Sequence, residues 1–99
     1  MNNYERLILI QKEYPELTFQ NDGFEYLDTE IINKHKEQIE EISKILKDTI
    51  PGFVKFNNFK LNKKNEIEIR CQYHWDKMFV GVGYFNIEEF KETNNNLNK

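Results

Sequence analysis

Residues 66–85 read EIEIRCQYHWDKMFVGVGYF, and how this stretch folds on itself decides the architecture of the 99-residue chain. Apolar and polar residues alternate in both halves, which is the period of a strand with one face in a core. The halves Glu66–Trp75 and Met78–Phe85 flank Asp76-Lys77, so a tight turn there makes a hairpin. Folded about that turn, Ile69 meets Tyr84, Cys71 meets Val82, Tyr73 meets Val80 and Trp75 meets Met78. That face is expected to be core. The other pairs Arg70 with Gly83, Gln72 with Gly81 and His74 with Phe79, and is expected to be polar and partly bare.

Working outward, Phe53–Leu61 predicts a third strand whose parity breaks. Val54 and Phe56 point one way, Phe59 and Leu61 the other, and a bulge near Asn57-Asn58 reconciles them. A three-residue turn at Lys63–Asn65, with Asn65 at positive φ, sets Leu61 opposite Ile67 and Phe59 opposite Ile69. Lys60 then faces Glu68 across the polar side, a favourable cross-strand pair.

Before these strands, Asp28 or Thr29 caps a long amphipathic helix predicted from Glu30 to about Thr49. Ile32, His35, Ile39, Ile42, Leu46 and Thr49 step by three and four along one face. Pro51-Gly52 ends it. At the N-terminus, Asn3 caps a predicted helix over Tyr4–Tyr14, closed by Pro15. Leu17–Gln20 and Phe24–Leu27 flank Asn21-Asp22-Gly23, the signal of a small hairpin. A last short helix, Ile87–Lys91, follows Asn86, and residues 93–99 read as a polar frayed tail. The expectation is therefore α+β, in the order α-β-β-α-β-β-β-α. A three-strand antiparallel meander and the N-terminal hairpin pack on the long helix in a single domain, residues 1–92.

Composition bounds the function. Eight Phe, five Tyr and one Trp supply an economical core for so short a chain. A formal charge of −3 is too mild for a strong nucleic-acid partner, which needs a basic excess or stripe. One cysteine excludes an internal disulfide and suits a reducing compartment. No apolar run approaches the length of a membrane span, and no secretory signal pattern opens the chain. A cytoplasmic location in a bacterial host cell is expected. The skew to 12 Lys against 2 Arg, with 13 Asn, is that of an AT-rich coding sequence.

Chemistry-bearing residues are few. Cys71 and His74 lie three apart on a strand and so face opposite sides, which separates a thiol from its base. One Cys and two His fall short of a zinc ligand set. His35 sits in the isoleucine stripe and reads as a histidine at the edge of the core. The Asp22, Glu25, Asp28 and Glu30 carboxylates suit a turn and a helix start rather than an acid–base pair. Phe79–Phe85 superficially resembles the aromatic–glycine signature of RNA-recognition-motif domains. No basic residue opens it, however, and glycines stand where that family's stacking aromatics belong. Gly81 and Gly83 mark close approach of another backbone or a ligand. No enzyme activity, metal or cofactor is expected.

What remains is a binding surface: Lys60, Glu68, Arg70, Gln72, His74 and Phe79, with flat ground at Gly81 and Gly83. In type, a small, acidic, AT-skewed single domain of this kind resembles the accessory proteins of phages and mobile elements, anti-CRISPR and other anti-defence inhibitors among them. No family motif is matched, and no residue is carried over from that group. The resemblance implies a stoichiometric inhibitor that occupies a host protein. Two alternatives stand beside it: a small-molecule or nucleotide sponge, and a self-assembling dimer joined through the isoleucine helix.

Overall fold

The computed structural model describes residues 1–20 and 26–91. Helix α1 (Asn3–Glu13) is followed by a 3-10 turn (Pro15–Leu17) and a two-residue strand β1 (Thr18–Phe19). Helices α2 (Thr29–Lys34) and α3 (Lys36–Thr49) lead into strands β2 (Phe53–Leu61), β3 (Ile67–His74) and β4 (Val80–Asn86). Residues 88–91 are helical.

The fold is α+β, but its sheet is not an antiparallel meander. It is a four-stranded mixed sheet in the order β1-β2-β3-β4. Strand β1 pairs with β2 in parallel, Thr18 opposite Phe59 and Phe19 opposite Lys60, while β2–β3 and β3–β4 are antiparallel. Parallel neighbours need a long crossover, which α2 and α3 provide. This replaces the expected N-terminal hairpin. Its first arm joins the far edge of the sheet, Tyr26 and Leu27 of its second arm are not strand, and its turn lies outside the described residues. The expected tail, residues 93–99, lies outside them too.

The single long helix over Glu30–Thr49 is instead two helices, broken at His35 (φ −113°, ψ 31°). The break falls where His35 turns inward. Its Nε2 lies 2.7 Å from Glu16 Oε2, and its ring meets Tyr14 edge-on at 5.2 Å. Such a tertiary contact outweighs local propensity, which spans only about 1 kcal/mol per residue apart from proline. Asp28 is the cap, its Oδ1 accepting from the Ile31 N–H at 2.9 Å. Helix α1 is capped one residue earlier than expected, by Asn2, whose side chain accepts from the Glu5 N–H. A bidentate Arg6–Glu41 pair ties α1 to α3.

The core lies between these helices and one face of the sheet. Leu7 and Ile10 of α1 and Ile42, Ile45 and Leu46 of α3 pack with Phe56, Phe59, Ile69 and Cys71. Strand β2 carries the expected bulge between Phe56 and Asn58, which turns both Phe56 and Phe59 inward, 5.2 Å apart and edge to face. Leu61 faces Ile67, Lys60 faces Glu68, and Asn65 takes φ 61°. At the end of α3, Gly52 adopts φ 75°, and a side chain there would meet the His74 carbonyl at 2.6 Å, so only glycine fits.

Candidate interaction face on strands β3 and β4

The register of β3 against β4 differs by one residue from the one read in the sequence. Arg70 faces Tyr84, Cys71 faces Gly83, Gln72 faces Val82, Tyr73 faces Gly81 and His74 faces Val80. The connection is the five residues 75–79, with Phe79 N–H donating to the Asp76 carbonyl, rather than a two-residue turn. A slip of one reverses every side chain of β4 from face to face.

Gly81 and Gly83 therefore do not lie on the outer face. They share the inner side with Cys71 and Tyr73, and aromatic rings lie across them. A Cβ on Gly83 would sit 2.6 Å from Tyr73 Cε1 and 3.0 Å from Phe85 Cε2; one on Gly81 would sit 2.8 Å from Trp75 Nε1. Tyr73 and Phe85 pack edge to face at 5.5 Å. Phe79 also leaves the expected face. It stacks on Trp75 at 5.3 Å and 20° beyond the end of the core. The glycines are internal packing, with cross-strand rings covering the backbone they bare.

The outer face holds the other expected residues: Lys60, Glu68, Arg70, Gln72 and His74. To them β4 adds Val80, Val82 and Tyr84, which are 49%, 42% and 42% exposed. These three read as core in the sequence. Arg70 is not a bare charge but a buried one, only 2% exposed. Its guanidinium carbon lies 4.6 Å from the Tyr26 ring centroid and 5.9 Å from that of Tyr84, and Lys60 Nζ lies 4.9 Å from the Tyr84 ring. Lys60, Tyr84, Arg70 and Tyr26 thus form a ladder of alternating cations and rings, and each contact adds about 0.5–2 kcal/mol according to its exposure. Tyr26 was not legible as a member. It lies more than forty residues before Arg70 in the chain.

Beside the bulge, Asn57 is buried with no hydrogen-bond partner for its amide among the described residues. It borders a cavity of about 100 Å³ between Tyr26, Leu27 and the α2–α3 helices. Cys71 is fully buried on the inner face, and burial pushes its thiol up to about 11, which removes it from nucleophilic chemistry at neutral pH. His74 lies on the opposite face. No group of three metal-ligating side chains occurs among the described residues, and no helix among them is long and apolar enough to cross a membrane.

No protein-family model, curated protein or solved structure matches this chain.

Proposed function

We propose that this chain is a protein-binding module and that its docking face is the outer side of β3 and β4. One observation carries the reading. Val80, Val82 and Tyr84 alternate along one strand, all exposed, beside a guanidinium already desolvated between two tyrosines. An outward strand face normally alternates to polar residues. An apolar stripe beside Arg and Tyr is instead the composition of interface centres. The finer reading, a stoichiometric inhibitor of a host defence protein carried by a phage or another mobile element, fits a small domain whose chemistry is confined to a surface. The isoleucine-helix dimer has less support, since Ile42 and Ile45 are buried in the chain's own core.

The test is affinity capture from a bacterial lysate with the wild-type chain and two variants, Val82→Glu and Lys60→Glu. The expected result is a discrete partner in near-equal amount, lost with both variants while each still unfolds as a cooperative, folded domain. Capture that survives both substitutions would sink the proposal, as would a wild-type chain that retains only a small molecule.

A further inference from the structure

We infer that β4 pairs antiparallel with β4 of a second copy, about a twofold axis at Val82, to give one continuous eight-stranded sheet. This concerns the edge of β4 rather than its face and stands whether or not a foreign partner docks.

The hydrogen-bond phase sets which groups are on offer. The Ile87 N–H donates to the Ile67 carbonyl at 2.9 Å, and the His74 N–H donates away from β4, to Gly52 at 2.7 Å. Backbone direction alternates along an antiparallel strand. Phe85, Gly83 and Gly81 therefore aim their N–H and C=O groups at β3, whereas Val80, Val82, Tyr84 and Asn86 aim theirs outward from the end of the sheet. Four donors and four acceptors lie along seven residues.

Natural sheets blunt such edges with lysine, proline, bulges or short strands. The other edge, β1, follows that rule with two residues. Strand β4 does not. Val80–Asn86 holds no charge, no proline and no register shift. An uncharged strand is compatible with itself. About Val82, each Val80 faces Tyr84 of the second copy, Val82 faces Val82, and Gly81 faces Gly83. No like charges meet within the strand, and the outward-directed residues fall opposite one another as hydrogen-bonded pairs. A charged edge strand would oppose its own sign in this arrangement. On the opposite side β1 is only two residues long, and the part of β2 it leaves uncovered carries Lys55 and two register shifts, so the assembly closes at a dimer instead of propagating. The outer faces then lie side by side, which doubles the Val–Tyr stripe.

Sedimentation of the purified chain over a wide concentration range tests the state, and cysteine pairing tests the register. Val82→Cys is expected to form an intermolecular disulfide under mild oxidation. Val80→Cys and Tyr84→Cys are expected to couple when mixed but not singly. The sedimenting mass should double with rising concentration, and Tyr84→Lys should return it to monomer. A chain that stays monomeric throughout overturns the inference. So does Val82→Cys coupling no faster than Lys64→Cys on the distant β2–β3 turn. The lysate experiment reads the docking face separately, with Lys60→Glu, a variant that leaves this edge intact.

Discussion

Gly83→Ala separates the two possible registers of β3 and β4 by the sign of its effect. In the observed register the new methyl carbon would lie 2.6 Å from Tyr73 Cε1, 3.0 Å from Phe85 Cε2 and 3.3 Å from Tyr73 Cδ1. Carbon atoms are most favourable about 3.5–4.0 Å apart, so the tyrosine ring must retreat by roughly 1 Å. It has little room, because it packs edge to face on Phe85 and against the core. Overpacking of this kind costs about 1–3 kcal/mol. Relief of the glycine penalty in a strand returns about 0.5–1 kcal/mol. The net is a loss on the order of 1 kcal/mol, which lowers Tm by about 4–8 °C in a domain of this size.

Gly81→Ala is the internal control. Its methyl would meet the indole of Trp75, which is 61% exposed and held on one side by Phe79, so the ring can swing aside. The change in Tm should be close to zero. Adding Tyr73→Ala to Gly83→Ala should make the glycine substitution harmless, the non-additivity expected of groups in contact. Calorimetry of Gly83→Ala, Gly81→Ala, Tyr73→Ala and the Tyr73→Ala/Gly83→Ala double variant is sufficient. A Gly83→Ala chain as stable as wild type, or more stable, would mean that Gly83 faces open space. The strand would then have to be read one residue over, with Arg70 opposite Gly83.

Three further outcomes follow from particular groups. The Glu16 carboxyl is held below the usual carboxylate range, first by its hydrogen bond with His35 and then by the charge of Lys34. A lowered folded value means that its contribution is present above the ordinary glutamate range and lost as pH falls through its own value. The gap in urea midpoint between wild type and Glu16→Gln should therefore shrink as pH falls below about 4.3; a gap that widens below that pH refutes this. Native Cys71 should react with a thiol reagent only as fast as the chain opens, with rapid labelling in denaturant, and a fast stoichiometric reaction at neutral pH would contradict its burial. Asp28→Ala should cost about 0.5–2 kcal/mol and speed exchange of the Ile31 amide, whose bond to Asp28 Oδ1 it removes.

What the sequence made legible was local and constrained from both sides. The bulge at Asn57 and the turn at Asn65 had to satisfy the inward positions of Phe56, Phe59 and Ile69 together, and one register alone does so. The β3–β4 register lacked that constraint. Val80, Val82 and Tyr84 look like core residues, and a two-residue turn at Asp76-Lys77 brings them to the core. The opposing signal was Gly81 and Gly83 set against Tyr73 and Trp75, since rings cover the backbone that glycines bare. The other differences come from residues distant in the chain. His35 breaks the helix to reach Glu16, and β1 finds β2 across some forty residues. Of the candidate site, the residues on β2 and β3 were legible because their parity follows from Ile69 and Cys71 alone. Those on β4 inherited the slip.

The slip also explains why face and edge act together. With the glycines inward, Tyr73 and Trp75 fill the inner side of β4, and the valines and Tyr84 face outward. Burying the exposed half of Val80, Val82 and Tyr84 would release about 2–4 kcal/mol, at roughly 1.5–3 kcal/mol for a full apolar side chain. Association alone costs an estimated ~4–15 kcal/mol. The stripe therefore cannot hold a partner unaided. The cation–ring ladder adds rigidity where flexible side chains would have to be ordered, because Arg70 is already clamped between Tyr26 and Tyr84. Pairing of two edges adds main-chain bonds at groups that are otherwise left to water, and it sets two stripes next to each other. A docking face of this size becomes effective when doubled, so partner capture by the wild-type chain should rise as its concentration passes through the range in which the dimer forms, and capture that is the same below and above that range would refute the coupling.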